Sequence, residues 1–165
     1  MGHVASQPLN QSLCWLLSRA NHVLATKMTA ALEELGLPPR HHQVLVTALG
    51  GEYTQIELAR IVGLDKTTMV VTVDELEAQG LAERRPSKTD RRARIIAVTK
   101  TGQRRVLEAN DVVARVHEEI LETLPARERD VFLDALAKLV EGPLGEPVPC
   151  TQPVRRRAPR AAVRQ

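Results

Sequence analysis

The chain has 165 residues, of which 43% are hydrophobic and 26% charged, a composition typical of a soluble globular protein. No apolar run approaches the roughly 18 residues of a membrane span, and residues 1–10 lack the features of a signal peptide, which predicts a cytoplasmic protein without a membrane partner. The two cysteines, Cys14 and Cys150, are too few for a disulfide framework and are not spaced as metal ligands.

The formal net charge of +3 is unevenly distributed along the chain. Residues 81–105 alone have a net charge of +7, and residues 142–165 one of +4. Such density is typical of a surface that binds a polyanion, although a solvated charged loop has the same composition. The aromatic residues are only Trp15, Tyr53 and Phe132, whereas single-strand and RNA modules usually stack bases on several aromatic side chains, so duplex DNA is favoured.

The first half of the sequence predicts four helices. Apolar residues recur at helical spacing up to Gly36, where glycine and the following prolines end the first helix. Thr54 and Glu57 form the capping-box pattern that starts a short helix, and Asp65 is a typical N-cap for the next one. The predicted helices are Leu9–Leu35, Arg40–Leu49, a short one from Thr54 to Gly63, and one from Asp65 to Gln79.

The second half predicts a β-hairpin and two further helices. The residues between the two strand-like runs have turn chemistry, Thr99 caps the long helix that follows, and Pro125 breaks it. After Gly142 the sequence is rich in proline and arginine and loses its apolar periodicity, which predicts disorder. The predicted elements are strands Leu81–Arg85 and Arg94–Val98 and helices Lys100–Leu124 and Arg127–Val140.

This order of elements predicts a mainly α fold with a small β-hairpin wing, a winged helix-turn-helix with long N- and C-terminal dimerisation helices. The terminal helices are too long to bury all their apolar surface against one small core, so we expect them to pair with a second copy in a C2 homodimer. The predicted regions are an N-terminal arm (1–8), a helical dimerisation region (9–35 and 100–141), the DNA-binding domain (36–99) and a disordered basic tail (142–165).

The helix that starts after Asp65 has the pattern of a recognition helix. At about 100° per residue, Met69, Val73 and Leu76 form one buried face. The opposite face is made of small hydroxylated and apolar residues where Lys, Glu or Gln would be ordinary, and such a face fits a DNA major groove. Packing against another protein surface is the alternative interpretation. The predicted exposed residues are Thr67, Val71, Asp74 and Ala78, with Thr68 and Val70 on the flanks and Lys66 beside them.

The hairpin that follows carries four cations, Arg84, Lys88, Arg91 and Arg94. An arginine at a hairpin tip can enter the minor groove next to the recognition helix. Together the helix and the hairpin predict a reader of both grooves.

These elements resemble the multiple antibiotic resistance regulator (MarR) family over about Leu9–Val140. The resemblance is densest in "TQIELARIVGLDKTTMVVTVDELEAQGLAERRPSKTDRRARIIAVTKTG", where "DRR", a strand and then "VTKTG" are typical of this family. It implies a triangular homodimer with interleaved terminal helices and two winged domains on adjacent half-sites of a pseudo-palindromic operator. It also implies a salt bridge between Asp74 and Arg92 that ties the wing to the recognition helix. The predicted DNA contacts are Thr54, Gln55, Lys66, Thr67, Thr68, Val71, Thr72, Arg84, Lys88, Arg91 and Arg94.

Two kinds of signal are compatible with the sequence, and no cofactor is predicted. "LCWLLSRANHVLATKMTAALEELGL" resembles the first helix of the organic hydroperoxide repressors of this family, whose reactive cysteine lies at the position of Cys14. Ser18 and Met28 stand where those proteins have activating tyrosines, and a small buried hydrophobic residue is the alternative role for Cys14. Cys150 is a candidate resolving thiol.

The rival signal is a small anionic aromatic ligand. Arg19 and His22, with His41 or His42, would line the pocket that the family has between the dimer helices and the winged domain. A zinc site is disfavoured because adjacent histidines do not readily bind one ion.

The sequence favours a ligand- or redox-gated DNA-binding repressor. The alternative is a winged-helix module for protein interaction or non-specific nucleic-acid binding. An enzyme is not predicted, because the sequence has no phosphate-cradling glycine loop and no Ser/His/Asp set.

Overall fold

The computed structural model describes residues 8–88, 92–146 and 148. Arg91, Cys150 and the arginines of the predicted tail lie outside them. Within the described residues the predicted order of elements is confirmed, and the helix and strand bounds differ from the predicted ones by at most a few residues. The elements are α1 (Leu13–Leu32), α2 (Pro39–Leu49), α3 (Gln55–Val62), α4 (Lys66–Ala78), β1 (Ala82–Pro86), β2 (Arg94–Val98), α5 (Lys100–Leu121) and α6 (Ala126–Glu141).

The ends of the predicted first helix are tighter than α-helical. Short 3₁₀ turns occupy Leu9–Gln11 and Glu33–Leu35, and Gly36 ends the second of them in the left-handed conformation at φ 59°. None of the described helices is both long and apolar enough to cross a membrane.

The chain divides into two compact units, one ending at Ile120 and one beginning at Leu121. The core of the first unit is formed by side chains from α1, α2, α3, α4, the hairpin and α5, which bury apolar area and so stabilise the fold. The core includes Leu32, Leu37, Val44, Leu45, Leu58, Met69, Val73, Leu76, Ile96, Val106 and Ala109.

The helix-turn-helix is fixed by local signals in the sequence. The side chains of Thr54 and Glu57 each accept a hydrogen bond from the other's backbone N–H, which completes the predicted capping box. Gly63 ends α3 at φ 73°, a conformation that glycine adopts without a Cβ penalty. Asp65 then caps α4 by accepting the backbone N–H of Thr68 at 3.0 Å. These signals set where α4 begins.

The hairpin is a two-stranded antiparallel sheet in which Ala82 pairs with Val98 and Pro86 with Arg94. It is fixed to the helices at its base. The Thr99 hydroxyl donates to the Gly80 carbonyl at 2.7 Å and accepts the Gly102 N–H at 3.0 Å. The start of α5 therefore holds the turn that leads from α4 into β1, and this gives the "VTKTG" segment a structural role.

Candidate DNA-binding surface

The faces of α4 are those predicted from the sequence. Met69, Val73 and Leu76 are fully buried, and Thr68 and Val70 are half-buried on the flanks. The exposed face is made of small and apolar side chains with one cation at its N-terminal end: Lys66, Thr67, Val71, Asp74 and Ala78.

Thr72 does not belong to this face, so its prediction as a DNA contact is wrong. Its side chain is 0% exposed, and its hydroxyl donates to the Thr68 carbonyl one turn earlier at 2.8 Å. At about 100° per residue Thr72 lies about 40° from the buried Leu76, one turn further along α4, so the core covers both side chains. The hydroxyl of Thr68 itself donates to Asp65 at 2.8 Å, which leaves its oxygen lone pairs as acceptors.

The N-terminus of α3 lies beside the N-terminus of α4. The Thr54 hydroxyl donates to the Glu57 carboxylate at 2.8 Å, and the Thr54 backbone N–H donates to the same oxygen at 2.7 Å. These hydrogen bonds from Thr54 lower the pKa of Glu57, because they stabilise the charged carboxylate. Thr54 and Gln55 are half-buried here, and both remain predicted DNA contacts.

Arg84 of β1 ties the hairpin to both helices of the helix-turn-helix. Its guanidinium donates to Asp74 of α4 at 2.7 Å, to Gln55 of α3 at 3.1 Å and to Glu77 of α4. Its backbone N–H also donates to Glu77 at 2.7 Å. One side chain, 30% exposed, therefore joins three elements.

Two predictions are corrected by this arrangement. The ion pair between the wing and the recognition helix forms from Asp74 to Arg84, not from Asp74 to Arg92, because the backbone of Arg84 lies against α4, where its N–H donates to Glu77. Arg84 was also predicted to contact DNA, but its donors are directed to Asp74, Glu77 and Gln55. It is a positioning residue.

The remaining described cations of the hairpin are exposed. Lys88 and Arg94 lie at the loop end of the two strands, and Arg91 of the loop is outside the described residues. Glu52 holds the loop entrance by accepting the Ser87 hydroxyl at 2.9 Å and the Lys88 backbone N–H at 3.2 Å. The Lys88 side chain is thus presented from a fixed backbone.

The two adjacent histidines are buried and hydrogen-bonded to other helices, and their place in a ligand pocket stays a prediction. His41 is 2% and His42 8% exposed. His41 Nε2 lies 2.7 Å from Glu75 of α4, and His42 Nε2 lies 2.8 Å from Asn110 of α5. Together they connect α2 to the recognition helix and to the long helix α5. The other candidates for the signal, Cys14, Arg19 and His22, are exposed on α1 in the single chain.

Glu75 should make stability depend on pH. The hydrogen bond from Arg40, and then the one with His41, lower the pKa of Glu75 below its usual 4.5. The contribution of Glu75 to the free energy of unfolding is therefore complete above pH 4.5, and it is lost as the pH falls through the lower pKa of the folded state. We expect Glu75→Gln to be less stable than the wild type at neutral pH, and the difference in urea midpoint to shrink in acid.

The matched control is Glu83→Gln, whose carboxylate lies 4.0 Å from Arg85 at an exposed site. It should change the urea midpoint little at any pH. A Glu75→Gln difference that stays constant from neutral pH to acid would contradict the role given to this carboxylate.

Two shallow cavities lie on the first unit. One of about 270 Å³ lies at the side of the hairpin, between Glu52, Arg85, Lys88 and β2. The other, of about 170 Å³, lies between α3 and α4. Ile56 lines this second cavity and was not among the residues predicted from the sequence. The only signal for Ile56 in the sequence is an apolar side chain on the exposed side of a capped helix.

The class of protein follows from this geometry: the described elements form a winged helix-turn-helix with an exposed recognition helix and a basic hairpin beside it. The profile of the MarR family matches residues 35–93. A MarR-family transcriptional regulator from Rhodococcus sp. RHA1 is 31% identical, with a TM-score of 0.74, over 84% of this chain and 99% of that one.

Two structures of CouR are also similar to this chain. CouR from Rhodococcus jostii RHA1 bound to p-coumaroyl-CoA is 33% identical over 84% of this chain and 97% of that one, with a TM-score of 0.75. The transcriptional repressor CouR bound to a 23-mer DNA duplex is 28% identical over 80% of this chain and 94% of that one, with a TM-score of 0.73. The chain belongs to the MarR family of transcriptional regulators.

Proposed function

We propose that this regulator is a homodimeric repressor that binds a pseudo-palindromic double-stranded operator and is released by a chemical signal. The observation that carries the proposal is the exposed face of α4, where Thr67 and Val71 occupy positions that would ordinarily be charged. Threonine hydroxyls can hydrogen-bond base edges or phosphates, and a valine can contact a thymine methyl. Lys66 at the start of the helix supplies a phosphate contact.

The hairpin would occupy the neighbouring minor groove. Lys88 and Arg94 are exposed at its loop end, and Arg91 belongs to the same loop of the sequence. Cations are attracted to the negative potential of a narrow minor groove. The contacts of Arg84 with Asp74 and Glu77 support this arrangement, because they fix the hairpin against α4. The duplex-bound structure of CouR supports DNA as the partner.

A second copy of the chain would cover the apolar residues of the terminal helices. Those of α1 are Leu13, Trp15, Leu16, Val23 and Leu24, each at least 36% exposed. In the second unit, α6 exposes Val131, Phe132, Leu133 and Val140. Burial of such faces against the same faces of a partner makes a closed C2 dimer, and its two-fold axis matches a palindromic operator.

The signal would be a phenolic or anionic ligand or oxidation of Cys14. CouR was solved with p-coumaroyl-CoA, a thioester that is both phenolic and anionic. This thioester is the first probe we would use. Cys14 is exposed in the single chain, and treatment of the dimer with an organic hydroperoxide tests whether the sulfur is reached when a second copy covers α1. Release of the protein from operator DNA by p-coumaroyl-CoA alone would support the ligand, whereas release by hydroperoxide that is reversed by a thiol reductant would support the cysteine.

The major-groove assignment is tested by Val71→Ala. We expect the variant to lose part of its preference for operator over scrambled duplex, by about fourfold for each half-site, because one apolar contact with a base is lost. The measurement is fluorescence anisotropy with both duplexes. Val46→Ala is the matched control, since Val46 is exposed to a similar degree, 41% against 46%, but lies on α2. Full discrimination by Val71→Ala would contradict the assignment.

A further inference from the structure

Ile56 is an exposed apolar residue of α3, the helix that precedes the recognition helix α4. It lies in the first turn of α3 and is 75% exposed. Its side chain lines the groove of about 170 Å³ between α3 and α4, together with Gln55, Ala59, Lys66 and Met69. Lys66 is the first residue of α4. The groove is therefore continuous with the exposed face of α4 that carries Thr67 and Val71.

The fold does not need an isoleucine at this position. The capping box between Thr54 and Glu57 already fixes the start of α3, and Leu58 supplies its buried anchor at 0% exposure. Arg84 holds Gln55 from the hairpin side. Ile56 is 75% exposed, so most of its apolar surface is available to another molecule.

The size and chemistry of the groove restrict its occupant. At about 170 Å³ it is smaller than the roughly 300–1,000 Å³ of ordinary small-molecule pockets, but it admits a methyl group. Three of its five lining residues are apolar, Ile56, Ala59 and Met69, and the other two are the cation Lys66 and the amide Gln55. An apolar spot next to a cation fits duplex DNA, where the thymine C5-methyl is the apolar group that a base presents in the major groove.

We propose that Ile56 contacts the methyl group of a thymine in each operator half-site and so determines base preference at that position. The proposal rests on the proposed function, since it requires α4 to lie in the major groove. Lys66 would hold the phosphate beside this base, and Val71 would read a different position further along α4. Ile56 is then a second apolar reader, supplied by α3.

The test is a set of operator duplexes in which each thymine is replaced in turn, in both half-sites, by deoxyuridine. This exchange removes the methyl group and leaves base pairing intact. For the wild type we expect a loss of about fourfold in affinity per half-site at the position Ile56 contacts, the effect of one methyl-sized apolar contact. Ile56→Ala should bind the thymine and deoxyuridine duplexes equally well at this position alone. Val71→Ala should still bind the deoxyuridine duplex more weakly at this position.

Ile61→Ala is the matched control, because Ile61 is an exposed isoleucine of the same helix, 51% exposed, and does not line the groove. For each deoxyuridine duplex, this variant should show the same loss of affinity as the wild type. Since Ile56 is so exposed, its alanine variant should give the wild-type circular dichroism spectrum and thermal unfolding curve.

The proposal is overturned if no deoxyuridine weakens binding, or if Ile56→Ala keeps all the wild-type penalties. A uniform loss of affinity in Ile56→Ala, equal for thymine and deoxyuridine duplexes, would also overturn it, because this is the signature of a sugar-phosphate contact. A wild type that does not prefer the operator over a scrambled duplex would instead reject the proposed function itself. The two failures are therefore distinguishable.

Discussion

Replacement of Arg84 by glutamine should reduce operator affinity about tenfold or more, and affinity for a scrambled duplex much less, because contacts that depend on a fixed geometry are lost. Glutamine cannot neutralise Asp74 and Glu77, which both accept from the Arg84 guanidinium, and hydrogen bonds to charged groups contribute about 1.5–3 kcal/mol. Without them the hairpin is no longer held against α4, so the proposed contacts in the two grooves lose their spacing.

Arg85→Gln is the matched control for this variant. It removes the same charge from the next residue of the same strand, where Arg85 is 49% exposed and lies 4.0 Å from Glu83. We expect it to weaken operator and scrambled duplexes to a similar small extent. Equal effects of the two variants, measured by anisotropy titrations at several salt concentrations, would show that charge alone matters and would contradict the positioning role of Arg84.

Gly102→Ala should destabilise the protein by about 3 kcal/mol. A Cβ at this position would lie 2.0 Å from the Leu81 carbonyl oxygen and 2.7 Å from Val98 Cγ1, and the first of these is backbone that must move. Alanine favours a helix over glycine by only about 0.5–1 kcal/mol, so the steric cost exceeds the gain in helix propensity. The shift would be measured as a lower midpoint in urea unfolding.

Thr101→Ala, at the exposed neighbouring position in the first turn of α5, is the control and should change stability by about 0.5 kcal/mol at most. A Gly102→Ala variant as stable as the wild type would mean that α5 and the Leu81 backbone are not in the close contact described here. Operator affinity should fall together with stability in this variant, since the same contact holds the base of the hairpin.

The elements of the fold could be predicted because their signals are local. The capping box at Thr54, the N-cap at Asp65 and the left-handed Gly63 each depend on residues within one helical turn, and the structure confirms them. The faces of α4 followed from helical periodicity alone. Burial of Thr72 was missed because it lies at the border between faces, where packing against the core decides.

The partner of Asp74 could not be predicted from residue types. Arg84, Arg85, Arg92 and Arg94 all lie on or next to the two strands, and only the pairing register and the position of the hairpin against α4 decide which one reaches Asp74. The roles of His41 and His42 were missed for a similar reason. Adjacent helix residues point about 100° apart, so each histidine meets a different helix, and which helices these are depends on tertiary packing.

The most direct test of the account is an anisotropy titration of the wild-type protein with the DNA upstream of its own gene and with a scrambled duplex, over a range of salt concentrations. We predict binding to the upstream DNA that is at least about 1,000-fold tighter than to the scrambled duplex, with affinity for both falling steeply as salt rises. Equal affinity for the two duplexes, with the same salt dependence, would contradict it and identify a non-specific nucleic-acid-binding module instead.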